Sequence, residues 1–294
     1  MFCIAGADSF FGAYIQRELL EHGEKILALN HSKAVFPENE NVVNMSFEVS
    51  EKSDLHRAEA FLRKENDIKI IYLIASHNPD FVRKFPKEAE RINCECYGNF
   101  LDVISNCAVD RLFFASSDTV YGESIDGEVF TESSPANPIN IYGVQKAMAE
   151  AITLDRGFNI ARFAYMFAPS LTYKPHFFDK ITSDLRNGKE IQMFTDYARS
   201  SLTYKTAANC LYRLMISDSG ERIFNICADE PSTKYQLGLF AAEYVGADKK
   251  LVKKSTMNEL GIFNERRASD IIMSNALMKK TLGITEEIKF NNLK

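Results

Sequence analysis

Met1-Phe2-Cys3-Ile4-Ala5-Gly6-Ala7-Asp8-Ser9-Phe10-Phe11-Gly12 takes the chain from a short apolar run through a glycine turn into a helical pattern that continues from Ala13 to His22. Five residues with no polar alternation read as a strand buried on both faces. Gly6 and Gly12 bracket a tight strand-to-helix turn. There the backbone can approach a pyrophosphate, which then rests on the helix N-terminus. Such a turn can equally bind nothing, and the middle glycine of the usual three-glycine pattern is Ser9 here. Ser9 either narrows the approach or donates its hydroxyl to phosphate. The opening position of the turn, ahead of an alternating chain, favours the ligand-binding reading.

Apolar runs and helical patterns then alternate. Strands are expected at Lys25–Leu29, Val42–Met45, Ile68–Ile74, Arg111–Ala115 and Ile160–Phe163. Helices are expected at Leu55–Lys64, at Pro86–Asn106 and around Tyr142. Strands alternating with helices of this length imply crossover connections and a doubly wound parallel sheet, an α/β fold. Beyond Pro169 the pattern loosens into a helix near Phe177–Asn187, a strand near Ile191–Phe194 and helices near Thr206–Ile216 and Lys234–Val245. We therefore divide the chain into a dinucleotide-binding domain, 1–168 with a return segment near 202–228, and a smaller substrate-binding lobe, 169–201 and 229–294.

Bulk composition excludes several classes. The chain has 294 residues, 46% hydrophobic and 26% charged, with a net charge of −5. This is the make-up of an ordinary globular protein without the basic face that nucleic-acid binding requires. No apolar run approaches the ~20 residues that span a bilayer, and the first residues lack the basic start of a signal peptide. Six cysteines without a C-x-x-C pair, and five histidines without ligand spacing, predict free thiols in a cytoplasmic protein and no metal site.

Two further stretches carry chemistry. Tyr142-Gly143-Val144-Gln145-Lys146 places a phenol and an ammonium one helical turn apart, on the same face. A neighbouring positive charge favours the phenolate, so Lys146 is expected to lower the Tyr142 pKa. Two common residues at this spacing often mean only a half-packed tyrosine and a solvated lysine. Ala115-Ser116-Ser117-Asp118-Thr119-Val120-Tyr121-Gly122, however, sits at the carboxyl end of the fifth strand, where ligands bind in such sheets. A hydroxyl at Ser117 beside the Tyr142 phenol completes a site for a carbonyl or alcohol. The end of the second strand, Asn30-His31-Ser32-Lys33, lacks the acid that usually holds the adenosine ribose. Ser32 and Lys33 suit a 2′-phosphate, which tips the choice of coenzyme toward NADP over NAD.

With these residues quoted, the chain resembles the extended short-chain dehydrogenase/reductase family acting on nucleotide-activated sugars, with its Rossmann sheet and smaller C-terminal lobe. Ser117-Asp118-Thr119-Val120-Tyr121-Gly122 is similar to the family's S-S-x-x-V-Y-G element. Tyr142 and Lys146 match its catalytic tyrosine and lysine, and Asn93 matches its helix asparagine. Arg162 to Pro169 resembles the R-P-x-N-V-Y-G-P segment, with Tyr165 in place of the asparagine and Phe163 in place of the proline. Phe224-Asn225-Ile226 followed by Pro231-Ser232-Thr233 resembles a later helix-opening element. The resemblance implies NAD or NADP held by Gly6, Ser9, Phe10, Phe11, Gly12, Asn30, His31, Ser32, Lys33, Glu48, Val49, Ile74, Ala75, Ser76, Asn93, Tyr142 and Lys146. It implies a nucleotide sugar held by Asp118, Thr119, Tyr165, Arg199 and Arg267 (or Arg266), and a homodimer built on the helices near Pro86–Asn106 and Tyr142–Thr153.

Three reactions recur in that family. Dehydratases place an acid pair after the hydroxyl residue, and Thr119 stands where the second acid belongs, so dehydration is set aside. Reduction of a 4-keto sugar is favoured by the short chain, by Pro138-Ile139-Asn140-Ile141-Tyr142 and by Tyr165. In that reaction hydride reaches the sugar carbon, Tyr142 protonates the oxygen, Lys146 lowers the tyrosine pKa and holds the nicotinamide ribose, and Ser117 polarises the carbonyl. Ser116-Ser117 and Tyr121-Gly122 suit a 4-epimerase equally well. A dinucleotide-binding sensor without catalysis is a third reading, with which an intact Ser117, Tyr142 and Lys146 fits poorly.

Overall fold

The computed structural model describes residues 1–293. Seven strands form one sheet: β1 (Phe2–Ala5), β2 (Ile26–Asn30), β3 (Val42–Ser46), β4 (Ile68–Tyr72), β5 (Val109–Ser117), β6 (Asn159–Phe163) and, later in the chain, the strand Ile223–Ile226. The short strands Met166–Phe167, Ile191–Phe194, Ala198–Arg199 and Leu202–Thr203 intervene as β7 to β10, so Ile223–Ile226 is β11. The order β11-β6-β5-β4-β1-β2-β3 is parallel throughout. Chain direction across the sheet reverses between β1 and β4, the crevice where doubly wound sheets bind ligands.

Helices cover both faces. α1 (Phe10–Glu21) and, across the sheet, α2 (Lys52–Leu62) follow the first strands. A long helical segment follows β4: α3 (Pro79–Lys84), α4 (Pro86–Glu90), a π-helical turn at Arg91–Glu95 and α5 (Cys96–Ile104). The expected single helix over Pro86–Asn106 is thus interrupted by a widened turn that carries Asn93. Such turns cluster at functional sites. α6 (Ile141–Asp155) carries Tyr142 and Lys146, and α8 (Tyr204–Met215) lies against α1 after α7 (Phe177–Arg186).

The smaller lobe is made of α7, β8, α9 (Lys234–Val245) and β13 (Val252–Ser255), with β12 (Ser232–Thr233) leading into α9. β8 and β13 pair in parallel, and Phe167, Phe178, Met193 and Leu237 fill a core of their own. The sequence reading assigned all of 229–294 to this lobe. After the short α10 (Met257–Leu260), β14 (Asp270–Ile271) leads back to the main layer. There α11 (Ala276–Leu282) packs on α8 and β11, and Met273 and Met278 enter the large core. This return depends on long-range apolar contacts that no local pattern announces.

A buried polar network ties the sheet to α6. The Arg162 guanidinium on β6 donates from Nε to Glu150 Oε1 at 2.9 Å and from Nη2 to Glu150 Oε2 at 2.6 Å. Ser116 Oγ donates to the same carboxylate at 2.5 Å. Arg162 also donates to the Tyr121 hydroxyl at 2.8 Å, and that hydroxyl donates in turn to Asn225 Oδ1 at 2.7 Å. Both ionic side chains are 6% exposed, so removing one leaves the other charged and buried. Glu150→Ala is expected to cost about 3–5 kcal/mol, measured as a fall in the urea midpoint at unchanged slope.

Candidate functional site

The glycine turn is built for close approach. Gly6 has φ +88°, which favours glycine. A Cβ at Gly12 would lie 2.6 Å from the Gly6 carbonyl oxygen, so the helix can sit this near the turn only with glycine there. Ser9 Oγ accepts from the Gly12 N–H at 3.0 Å and caps α1. Its hydroxyl proton stays free for a phosphate, while the side chain's first task is the helix end. Phe11 is a core residue, its ring 4.9 Å from Phe163 and 5.8 Å from Tyr204. Phe10 points instead to the substrate side, against His176. Of these two residues, only the backbone N–H groups are offered at the turn.

Beside the turn lies a cavity of about 250 Å³ lined by Gly6, His31, Glu48, Val49, Ile74, Ala75 and Ser76. It lies beside the turn at the carboxyl ends of β1, β2 and β4, the side of such sheets on which a dinucleotide's adenosine half is held. The Glu48 carboxylate receives the Ser50 N–H and O–H and pairs with His31 at 3.0 Å. Burial opposes its ionisation, but these donors outweigh burial and hold its pKa below the usual carboxylate range. Asn93 accepts the Ser76 N–H at 2.7 Å and donates to the Ser76 carbonyl at 3.1 Å and to Gln145 Oε1 at 2.8 Å. Asn93 is 3% exposed, so it braces the loop after β4 and leaves ligand contact to its neighbours.

Asn30 departs from its expected place on the ribose. Its amide donates to the Ala28 carbonyl and to Asn44 Oδ1, both at 3.0 Å, and the side chain is buried against β3. Ser32 and Lys33 remain exposed at the strand end. Asp8, a residue of the glycine turn, reaches His31 and Ser32: its carboxylate accepts the His31 N–H, the Ser32 N–H and the Ser32 hydroxyl.

A second cavity, of about 550 Å³, opens where β5 ends and is lined by Ser117, Thr119 and Tyr142 on one side and by Tyr165, His176 and Arg267 on the other. Gly143 allows α6 to begin here, because a Cβ on it would meet the Thr119 carbonyl oxygen at 2.6 Å. Ser117 Oγ donates to Asp118 Oδ1 and accepts from Thr119 N–H and Oγ1, capping a short turn. Lys146 donates to the Ala115 carbonyl at 2.7 Å and lies 4.4 Å over the Phe114 ring. Burial drives its pKa down to about 8, with Glu150 opposing.

The expected lowering of the Tyr142 pKa is not found. Burial, and then the Asp118 charge, hold the phenol above its ordinary value. Lys146 Nζ is 5.9 Å from the Tyr142 ring centre and already bonded to a carbonyl. Tyr142 is therefore a proton-bearing acid at neutral pH.

Arg199 and Asp118 line the same cavity, and both are also engaged with the protein. Arg199 donates to the carbonyls of Ala198, Ser269 and Ala268, rests on the Tyr197 ring at 3.9 Å, and stands 3.4 Å from Asp118 Oδ2. Its guanidinium staples the tail to β9, and Asp118 balances its charge. Burial nonetheless raises the Asp118 pKa.

Cations in the lobe remain with fewer partners. A third cavity, of about 450 Å³, shares Tyr165, His176, Phe177, Tyr197 and Arg267 with the cleft and adds Lys234. Arg267 pairs with Asp80 through Nη2 at 2.9 Å, while its buried Nη1 has no partner among the described residues. The Lys234 ammonium lies over the Tyr165 ring and near Phe177 and Tyr197, at 5.4 and 5.3 Å from their centres. Burial, then Arg199, push its pKa well down, with Asp118 opposing. His176 is pushed down to about 4 by burial and is neutral at pH 7. Sequence reasoning missed Lys234, Tyr197, His176 and His77, the last of which joins the cleft one residue beyond Ser76. Two signals were available: the position of Lys234 directly after Pro231-Ser232-Thr233, and that of His77 in the loop after β4.

No described helix is long and apolar enough to cross a membrane, and no group of potential metal ligands occurs among the described residues. The chain is 30% identical to the UDP-glucose 4-epimerase of Lactobacillus helveticus over 155 residues, 51% of this chain and 44% of that protein, so the match spans less than half of that relative's length. It is 23% identical to the probable low-salt glycan biosynthesis reductase Agl14 of Haloferax volcanii, over 87% of this chain and 84% of the relative. Among solved structures, MoeE5 in complex with UDP-glucuronic acid and NAD has the same fold, with a TM-score of 0.80 at 17% identity, covering 99% of this chain and 95% of that one. The model of the NAD dependent epimerase/dehydratase family matches residues 2–227, and the chain belongs to that family of extended short-chain dehydrogenases/reductases.

Proposed function

We propose that the chain reduces the 4-keto carbon of a nucleotide-activated sugar, with NADH as reductant. The observation that carries the reading is a proton-bearing Tyr142 in a cleft that shares its Arg267 wall with the cavity of Lys234, where the buried Arg267 Nη1 has no hydrogen-bond partner among the described residues. A buried donor left without an acceptor is costly, and an anion seated there would satisfy Arg267 Nη1 and favour the charged form of Lys234. A sugar diphosphate supplies that anion, and the aromatic walls formed by Tyr165, Phe177 and Tyr197 suit the ring of a base or sugar.

The turn from Gly6 to Gly12, the cavity walled by Glu48, Val49 and Ile74 to Ser76, and Lys146 would hold the dinucleotide. Bound there, its nicotinamide supplies the hydride. Tyr142 then gives its phenolic proton to the forming alkoxide, which is the stronger base. Lys146, its ammonium 5.9 Å from the Tyr142 ring centre, stabilises the resulting tyrosinate by charge attraction. Ser117 can polarise the ketone by turning its hydroxyl proton from Asp118 to the substrate oxygen. Asp118 does not serve as a free base, because it is committed to Arg199.

Reduction is preferred to 4-epimerisation because the relative matched along nearly its whole length is named a reductase, whereas the epimerase match stops at half of this chain. The two differ in stoichiometry. A reductase consumes one NADH per sugar, seen as loss of absorbance with UDP- or dTDP-4-keto sugars. An epimerase keeps its dinucleotide and inverts C4 without net consumption.

Tyr142→Phe is expected to lower kcat by ~10²–10⁴-fold with NADH affinity unchanged; wild-type turnover in that variant would remove the acid role. Lys234→Met is expected to raise the sugar-nucleotide KM about 10-fold or more, with kcat changed by less than about 3-fold. Steady-state kinetics separate the two effects, and an unaltered KM would remove Lys234 from the anion seat.

A further inference from the structure

Asp8 turns away from the phosphate turn and delivers its carboxylate to the end of β2. Oδ1 accepts the His31 N–H at 3.1 Å, and Oδ2 accepts the Ser32 N–H at 2.9 Å and the Ser32 hydroxyl at 2.6 Å. These groups follow directly on Asn30, the last residue of β2. In dinucleotide-binding sheets this edge meets the adenosine ribose. An acid there accepts from the ribose hydroxyls, while basic and hydroxyl groups there receive a 2′-phosphate. The strand's own terminal residue is not available, since the Asn30 side chain is 2% exposed and bonded inward.

The carboxylate has therefore arrived from another part of the chain. It occupies the two N–H groups and the hydroxyl that a 2′-phosphate would need. Glu48, on the wall of the adjoining cavity, adds a second carboxylate and is itself paired with His31. Lys33 is the cation left at this edge, and it is exposed. The local charge is thus arranged for hydroxyls and against a dianion.

We infer that Asp8 is the residue that selects the coenzyme: it accepts the ribose 2′-hydroxyl of NAD(H) and excludes the 2′-phosphate of NADP(H). This reverses the preference expected from Ser32 and Lys33 alone, whose donors are already engaged or solvated. The inference rests on the reading of Gly6 to Gly12 as a dinucleotide turn, and on no part of the sugar chemistry.

The test is titration calorimetry of NAD⁺ and NADP⁺ on the full-length protein, without sugar, for the wild type, Asp8→Asn, Asp8→Ala and Ser32→Ala. The wild type is expected to bind NAD⁺ about 100-fold more tightly than NADP⁺, as a like-charge contact near the surface predicts. Both Asp8 variants should cut that ratio at least 10-fold, chiefly by tightening NADP⁺. Ser32→Ala, which keeps the carboxylate, should retain most of it. Asp8 is partly exposed, and thermal melting of each variant confirms the fold. Equal wild-type affinities, or a ratio unmoved in Asp8→Asn and Asp8→Ala, would overturn the inference. So would an equal weakening of both dinucleotides, which would reduce Asp8 to a brace of the turn. Binding of neither dinucleotide by the wild type would defeat the dinucleotide reading as well. Selective binding without turnover on any 4-keto sugar would leave the inference standing and remove the proposed reaction alone.

Discussion

Arg162 and Glu150 are buried together between β6 and α6, and the geometry of the cleft follows from that pair. Tyr142, Lys146 and Glu150 recur at four-residue spacing along one helix face. Fixing Glu150 against Arg162 and Ser116 therefore fixes the rotation of α6, and with it the direction in which Tyr142 and Lys146 project. The same guanidinium reaches Tyr121, and through it Asn225 on β11, so the last strand of the sheet is tied to α6. A buried ion pair of this kind is weak evidence for stability, because desolvation offsets most of its attraction. Its value here is directional: a bidentate pair allows one orientation, where apolar packing would tolerate several.

What the sequence made legible, and what it hid, divides by range. The strands and α6 were readable because their signals are local: continuous apolar runs, a helical spacing and a glycine turn. Position at a strand end and spacing on a helix are local signals too, and Ser117 and Tyr142 line one cavity while Lys146 lies 5.9 Å from the Tyr142 ring centre. The side chains that went elsewhere are those whose partners lie far along the chain. Arg199 is drawn inward by carbonyls near residue 269, Asn30 by Asn44, and Asp8 outward by Ser32. The tail from β14 to α11 returns to the main layer through apolar contacts that leave no periodic trace. The π-turn at Arg91–Glu95 was hidden because its widened hydrogen bonding serves Asn93 and the loop after β4, not any preference of the residues within it.

Electrostatics gives the two ends of the groove opposite characters. Beside the glycine turn, carboxylates are present and engaged: Asp8 with backbone N–H groups and Glu48 with His31 and Ser50. Toward the smaller lobe, Asp118 is matched to Arg199 and Asp80 to one side of Arg267. The Lys234 amine lies against aromatic faces, and burial together with Arg199 holds its pKa well below the usual lysine value, with Asp118 opposing. The chain's net negative charge conceals this contrast, since the sum of all charges says nothing about where a few of them are buried.

The sequence reading assigned the lowering of the tyrosine pKa to Lys146, but the two residues share a face without sharing that effect. Burial dominates both groups, raising the phenol and lowering the ammonium, so each moves toward its neutral form. A neutral phenol is a poor base but a competent acid, and Lys146 acquires its electrostatic value only once the phenol has lost its proton. The pair is thus set for proton donation to a newly formed alkoxide. In the opposite direction it would first have to ionise within the same apolar surroundings. Under the proposed reduction the resting phenol already holds the proton that the alkoxide takes up; the same pair serves epimerisation too, so it governs the proton transfer and not the choice between the two reactions.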